Sequence, residues 1–122
     1  MKRLVMSAVA TLLVGTAPAL AAGDAEAGKT VFKKCAVCHA VEPGKNKVGP
    51  SLAGVVGLKS GSVADYKYST AMQNAGLTWD DATLHKYLEG PAKLVPGTKM
   101  AFPGLKEEKD RDDVIAYLDT LK

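Results

Sequence analysis

The pentapeptide Cys35-Ala36-Val37-Cys38-His39 constrains this chain more than any other feature of its sequence. Its C-x-x-C-H spacing is typical of the covalent attachment of a c-type haem. Thiols three residues apart lie about one helical turn apart, so each can form a thioether with one vinyl group of a porphyrin edge. The histidine that follows would then be an axial iron ligand. The pattern predicts one covalent haem, whose sixth iron position is either filled by another residue or left vacant.

Three other chemistries can use the same cysteines, which are the only two in the chain. A redox dithiol needs a strand and a βαβ pattern around the motif, whereas the preceding residues indicate a helix. A structural zinc ion needs four ligands. The chain offers Cys35, Cys38, His39 and His85, but neighbours such as Cys38 and His39 are awkward ligands for one tetrahedral ion. A small disulfide is the third alternative, and haem attachment is favoured over all three.

The start of the chain has the pattern of a secretory signal peptide. Lys2 and Arg3 precede an apolar run, residues 4–14, that is short for a membrane span. The segment Ala19-Leu20-Ala21-Ala22 follows, with small residues at three of its four positions. We therefore predict that residues 1–22 are removed after export to the periplasm, with the cut after Ala22 or, as second choice, Ala21. Retention of the leader as a membrane anchor is the alternative.

Residues 23–122 are then one small haem domain. A chain of this size buries a limited core, so a covalent cofactor would help to stabilise it. Two of the 16 basic residues lie in the leader, which leaves 14 against 13 acidic ones. Net charge therefore says little about partners, but its distribution predicts a basic docking face near the haem motif. No nucleic-acid module is recognisable, and we expect a monomer without stable membrane insertion.

Apolar periodicity predicts a helical domain. The first helix runs from Asp24, its N-cap, to about Cys35, and places Gly28, Val31 and Phe32 on one face. Glycine is costly inside a helix, so another helix is expected to approach closely at Gly28. The natural partner is the last helix, predicted at about 109–121, whose inner face contains Val114, Tyr117, Leu118 and Leu121.

Between these two helices the sequence predicts shorter elements. Residues 40–61 form a long loop, whose Leu52, Val55, Val56 and Leu58 could cover the haem. A short helix is expected over 69–74. Thr78 is expected to cap the next helix, which Gly90-Pro91 ends. His85 lies off the apolar stripe of that helix and is interpreted as a surface residue.

The segment 93–104 is a loop bracketed by proline and glycine, with Met100 at its centre. Apart from the leader, the chain has one other methionine, Met72, which is expected in the core of a helix. Methionine often only fills gaps in a core. Beside a C-x-x-C-H motif, however, a methionine held in a rigid loop is a candidate for the sixth iron ligand.

Six local motifs, in order and near the expected spacing, make the mature chain resemble a class I cytochrome c of the bacterial c2 and mitochondrial type. They are Cys35-Ala36-Val37-Cys38-His39, Gly49-Pro50-Ser51-Leu52, Leu77-Thr78-Trp79, Tyr87-Leu88, Pro96-Gly97-Thr98-Lys99-Met100 and Ile115-Ala116-Tyr117-Leu118. The resemblance covers essentially all of the mature chain. It implies a small all-α fold with three main helices, plus short helices and loops around one covalent haem c.

The resemblance also implies roles for individual residues. Cys35 and Cys38 would form the thioethers, and His39 and Met100 would be the axial ligands. The Pro50 carbonyl would accept from Nδ1 of His39, and Tyr87 would lie beside the Met100 sulfur. Tyr68 and Trp79 would bond a propionate, with Thr98 near the buried propionate or water network. Two residues depart from the mitochondrial pattern: Leu58 replaces an arginine, and Met72 replaces an asparagine.

The implied function is one-electron transfer by an iron that cycles between Fe(III) and Fe(II), and the protein is not expected to be an enzyme. The donor would be a membrane bc1-type complex, and the acceptor a terminal oxidase, a photosynthetic reaction centre or a peroxidase. Partners would dock briefly at a lysine ring made of Lys33, Lys34, Lys47, Lys93 and Lys99. The alternative is a haem enzyme or gas sensor with an open sixth position.

Overall fold

Helices and loops make up the part of the chain that the computed structural model describes, residue 10 and residues 23–122. Apart from residue 10, the predicted signal peptide lies outside the described residues. The helices are α1 (Ala25–Val31), α2 (Thr70–Gln73), α3 (Asp81–Glu89), α4 (Pro91–Leu94) and α5 (Glu108–Asp119). Within these residues there is no strand, only an isolated bridge between Lys59 and Thr78. The all-α class predicted from the sequence is confirmed.

The packing of α1 against α5 is the main helix contact of the fold. A Cβ added at Gly28 would collide with the backbone carbonyl of Asp113 and lie 2.9 Å from the Tyr117 Cβ. The Phe32 and Tyr117 rings pack with centroids 5.2 Å apart. Val114, only 1% exposed, lies in the same core. The close approach predicted at Gly28 is therefore present, and its partner is the predicted face of the last helix.

Hydrogen bonds to one buried carboxylate join the ends of these two helices. Asp113 accepts from the backbone N–H of Asp24 at 2.9 Å and from Nζ of Lys109 at 2.5 Å. The backbone bond, followed by the lysine, holds the pKa of Asp113 below its ordinary value. Asp24 in turn caps α1 by accepting from the N–H of Glu26. The carboxylate of Asp113 thus fixes the start of α1 on α5.

Three predicted helix limits need correction. The α-helix α1 ends at Val31, and Phe32–Lys34 form a tighter 3-10 turn before the first cysteine, as is common at helix ends. Thr78 does not cap α3. The side chain of Asp80 does so, accepting from the N–H of Thr83 at 2.8 Å, while Thr78 belongs to the isolated bridge. Finally, the predicted loop 93–104 begins inside α4, because Pro91 starts a new helical turn.

None of the helices among the described residues has the length and apolar character that crossing a membrane requires.

Candidate functional site

The elements enclose a cavity of about 570 Å³, a size typical of sites for organic cofactors. Most of the residues that line it are apolar, and they range along the chain from Phe32 in the 3-10 turn to Leu118 in α5. Both cysteines and His39 line it, and so does Met100. Cys35 and Met100, which lie 65 positions apart in the sequence, thus share one apolar chamber.

One wall of the cavity carries the C-x-x-C-H motif. The N–H groups of Cys38 and His39 donate to the carbonyl of Cys35, at 3.0 and 2.9 Å, so the motif forms a helical turn. The two cysteines form no disulfide with each other. Burial raises the pKa of the Cys35 thiol, and Lys34 partly opposes this shift. The turn directs Cys35, Cys38 and His39 towards the same chamber.

The imidazole of His39 is held by its neighbours in one orientation and one tautomer. Its Nδ1 lies 2.7 Å from the carbonyl oxygen of Pro50, so Nδ1 carries the proton and Nε2 presents a lone pair. Burial lowers the pKa of His39, the bond to Pro50 opposes the shift, and Lys47 adds to it. The ring is therefore neutral and free to bind a metal through Nε2.

Gly49 also fixes this ring, a role that the sequence analysis did not give it. A Cβ at Gly49 would lie 2.7 Å from Nδ1 and 2.8 Å from Nε2 of His39. The imidazole thus lies flat against the backbone of this buried glycine. The motif Gly49-Pro50-Ser51-Leu52 was a visible signal, but it implied no contact between Gly49 and the imidazole.

A second wall presents the thioether of Met100. The Tyr87 hydroxyl donates to Sδ of Met100 at 3.2 Å. Burial raises the pKa of this phenol, which keeps it protonated as a donor. The ring of Tyr87 is set by Trp79, with centroids 4.8 Å apart. The backbone N–H of Met100 donates to the Thr98 hydroxyl at 3.3 Å, so both the side chain and the loop of Met100 are positioned.

The other predicted site residues also line the cavity. The hydroxyl of Tyr68 accepts from the backbone N–H of Val63 at 3.0 Å, which leaves its own proton available for a second partner. Trp79 is buried, and its backbone pairs with that of Leu58 at 2.8 Å. Thr98 lines the cavity as well. The structure thus places these polar groups at the cavity, while their contacts with a haem propionate remain predictions.

Residues of the long loop also contribute to the cavity lining, and so do the two residues that depart from the mitochondrial pattern, Leu58 and Met72. Leu52, Val55 and Leu58 line the cavity, but Val56, although predicted, does not. Met72 is buried and contributes a second thioether to the lining. Leu58 is partly exposed. At both positions an apolar side chain replaces a polar one of the mitochondrial pattern, so the lining of this chamber is more apolar than that pattern implies.

The five lysines of the predicted ring differ in their contacts. Lys34 and Lys99 line the cavity, and Lys33 and Lys93 are exposed. Nζ of Lys47 donates to the carbonyl of Ala36, inside the motif, at 3.0 Å. Two apolar side chains, Val37 and Val48, are 74% and 75% exposed and also line the cavity. The surface near the motif thus combines lysines with exposed valines.

His85 lies outside the cavity. Its Nε2 pairs with Oδ1 of Asp112 at 2.9 Å, which joins α3 to α5. It is therefore not placed to complete a zinc site with the cysteines, nor to serve as an acid or base in the chamber. A redox dithiol of the thioredoxin kind also lacks its strand, since a helix precedes the motif in the described residues.

The chemistry of the donor set fits a haem. Two cysteines without a disulfide, a neutral imidazole that presents Nε2 and a thioether fixed by a phenol converge on one apolar chamber. A nitrogen and a soft sulfur are suitable axial ligands for haem iron. The thiols lie on the same turn as the imidazole and are thus available for covalent attachment.

Comparisons with known proteins give the same result. Residues 25–122 match the family model described as Cytochrome c. The chain is 54% identical to cytochrome c2 of Rhodomicrobium vannielii over 121 residues, 98% of this chain and 97% of that one. It is 56% identical to cytochrome c2 of Rhodoblastus acidophilus over 102 residues, 83% of this chain and 95% of that one.

A solved structure shares the fold as well. Cytochrome cH from Methylobacterium extorquens matches with a TM-score of 0.76 at 52% identity, covering 80% of this chain and 99% of that one. Members of this family carry covalently bound haem c, and cytochromes c2 transfer electrons and are not enzymes. The haem, the fold and the absence of an enzymatic role, all expected from the sequence, are thereby confirmed: the chain belongs to the cytochrome c family.

Proposed function

We propose that this electron-transfer protein is a periplasmic one-electron carrier between membrane complexes, with His39 and Met100 as its axial iron ligands. The observation that supports it best is the convergence of the two side chains on one cavity, each with its own hydrogen-bond partner. Cys35 and Cys38 would hold the cofactor through thioethers. Haem c, when bound, supplies an iron that exchanges one electron between the Fe(III) and Fe(II) states.

The residues around the proposed ligands limit their movement during electron transfer. Gly49 and Pro50 fix the imidazole of His39, and Tyr87 fixes the sulfur of Met100. A histidine and methionine pair is established in cytochromes c as raising the reduction potential. Because both side chains are held before an electron arrives, little rearrangement is needed. The mostly apolar lining would keep the surroundings of the iron low in polarity, which also disfavours the additional charge of the ferric state.

The donor would be a bc1-type complex, and the acceptor a terminal oxidase or a photosynthetic reaction centre. Support comes from the lysines near the motif, which would attract an acidic partner and accelerate its approach. Val37 and Val48 would provide the dry contact at the centre of this surface. Redox encounters of this kind are small and short-lived, which agrees with a monomer that exchanges partners quickly.

Periplasmic location and removal of residues 1–22 belong to the same proposal. Their support is the basic start, the short apolar run and the small residues at 19, 21 and 22. Residues 23–122 would then be the mature haem domain. Mass spectrometry of the protein exported from its own cell tests this point directly, because it measures the first residue and the mass of the attached haem.

Reductive titration of the purified protein, followed by mixing with a purified bc1-type complex and a quinol, tests the carrier proposal. We expect a single reversible one-electron transition and complete reduction by the complex. A protein that the complex does not reduce at any ionic strength would contradict the proposed donor. The alternative function, an open-iron enzyme or sensor, has no support from His85, which lies outside the cavity.

A further inference from the structure

Tyr66 contacts the segment that leads into the His39 wall. Its hydroxyl donates to the carbonyl of Val48 at 2.7 Å. Val48 directly precedes Gly49, whose backbone lies against the imidazole of His39. A hydrogen bond on this carbonyl restrains the backbone that supports the ring. Tyr66 also packs edge-on against Tyr68, with centroids 4.8 Å apart, which fixes its own orientation.

The same tyrosine contacts the segment that carries Met100. Nζ of Lys99 lies 4.6 Å from the centroid of the Tyr66 ring, within range of a cation–π interaction. The same ammonium group donates to the backbone carbonyl of Lys67. Lys99 directly precedes Met100 in the sequence. The loop of Met100 is therefore attached to residues 66–67 by two contacts of one side chain.

We propose that Tyr66 and Lys99 form a brace that joins the backbone beside His39 to the backbone beside Met100 and keeps Met100 in place. Lys99 is then a positioning residue as well as a member of the lysine ring. This inference rests on the proposed function, since it concerns the two proposed iron ligands. The links act in series, from Val48 through Tyr66 to Lys99, so breaking either link should release the loop.

The test measures how fast imidazole displaces the sixth ligand of the ferric holoprotein. Loss of the sulfur-to-iron absorption band monitors this displacement. Tyr66→Phe removes the hydroxyl but keeps the ring, and Lys99→Met removes the charge while keeping the length of the side chain. Each variant should accelerate displacement about two- to fivefold, the range that loss of one such contact allows. Both changes are conservative, and variants that show the wild-type band in the absence of imidazole have assembled correctly.

Two controls make the result specific. Lys93→Met removes a lysine of the same ring that takes no part in these contacts, and it should leave the displacement rate unchanged. The double variant Tyr66→Phe/Lys99→Met should be no faster than the faster single variant, because the links are in series; independent effects would multiply.

The outcomes separate the brace from the proposed function. A wild-type protein without the sulfur-to-iron band would overturn ligation by Met100 and the brace with it. A normal band combined with wild-type displacement rates in both single variants would overturn the brace alone. Equal acceleration by Lys93→Met would also overturn it, since the effect would then follow from net charge.

Discussion

At the residue scale, the pair formed by Tyr87 and Met100 has the most direct chemical consequence. The phenol donates to the sulfur at 3.2 Å and thereby withdraws electron density from the proposed ligand. A sulfur relieved of this bond would donate more strongly to iron and would favour the ferric state. The hydroxyl of Tyr87 is therefore expected to raise the reduction potential.

Replacing Tyr87 with phenylalanine tests this effect. Loss of the hydrogen bond should lower the potential by on the order of 20–60 mV, which corresponds to roughly 0.5–1.5 kcal/mol for a one-electron couple. Redox titration measures it. Tyr117→Phe is the matched control, because Tyr117 packs on Phe32 and does not line the cavity. Equal shifts in the two variants would refute a specific role for the Tyr87 hydroxyl.

Met100→Ala tests the assignment of the sixth ligand. Removing the thioether should vacate the sixth position, so that the reduced protein binds carbon monoxide and the ferric sulfur-to-iron band disappears. Met72→Leu is the control, because it removes the other thioether of the cavity lining at nearly constant volume. If Met72→Leu opened the iron and Met100→Ala did not, the two methionines would have been assigned the wrong way round.

At the element scale, the fold depends on the crossing of α1 and α5 at Gly28. Gly28→Ala would force a methyl group into the backbone of Asp113. We expect a loss of about 2–3 kcal/mol in the free energy of unfolding, because this clash outweighs the better helix propensity of alanine. Urea denaturation measures it.

Gly90→Ala provides the comparison for that variant. The nearest atoms to its added Cβ would belong to the flexible side chain of Lys93, the first of them at 3.3 Å. It should therefore cost less than about 1 kcal/mol. Similar losses in the free energy of unfolding of both variants would mean that stability is no more sensitive to the helix crossing at Gly28 than to packing at Gly90.

Asp113 makes the attachment of α1 to α5 dependent on pH. Its folded pKa lies below the ordinary value of 3.8, chiefly because of the Asp24 N–H and then Lys109. The stabilisation is therefore complete above pH 3.8 and is lost as the pH falls through the lower folded pKa. The Asp113→Asn variant should have a lower free energy of unfolding than the wild type at neutral pH. As the pH falls into the acid range, that free energy should decrease less steeply than in the wild type.

Urea unfolding at neutral pH and at successive values below 3.8 measures both effects. Glu108→Gln, a neutralised carboxyl in the exposed first turn of the same helix, is the control and should keep the wild-type slope. An Asp113→Asn variant with an unchanged acid slope would show that other carboxyls account for the pH dependence.

The helices and turns also show which features can be predicted from the sequence alone. The C-x-x-C-H turn, the crossing at Gly28 and the cap at Asp24 are local patterns with direct physical meaning, and the structure contains all three. The cap of α3 was misassigned because Thr78 and Asp80 are both good caps. Only the pairing of Lys59 with Thr78, which holds Thr78 in an extended bridge, decides between them.

The site contained contacts that no local pattern could reveal. The roles of Gly49 and Tyr66 depend on residues brought together by folding: an imidazole in the first case, and Val48 and Lys99 in the second. Lys99 was predicted only as a docking charge, because its sequence neighbours say nothing about Tyr66. Spacing identifies the groups that could bind iron, whereas the supporting contacts require the three-dimensional structure.

At the scale of the whole molecule, charge and exposed apolar area meet near the haem motif. Lys34 lines the cavity, Lys47 bonds to the motif, and Val37 and Val48 are largely exposed. Lysines around a small apolar contact favour fast encounter and fast release. The docking proposal therefore predicts association rates that depend on ionic strength.

Lys34→Glu tests this dependence in stopped-flow mixing with an acidic redox partner. At about 10 mM salt, where the Debye length is about 30 Å, the association rate should fall about two- to fivefold, and the difference should shrink near 150 mM. Lys122→Glu carries the same charge change at a lysine that does not itself line the cavity, and it should have a smaller effect. Equal effects of the two changes would point to net charge instead of a docking face.

Above all, we propose that His39 and Met100 together leave no open position on the haem iron of this carrier. The visible spectrum of the matured protein, ferric and then reduced with ascorbate, with and without carbon monoxide, tests it most directly. We predict sharp low-spin bands in the reduced state, a weak ferric sulfur-to-iron band in the red and no response to carbon monoxide. High-spin bands that shift with carbon monoxide would contradict the claim, because they would mean that the sixth position is open.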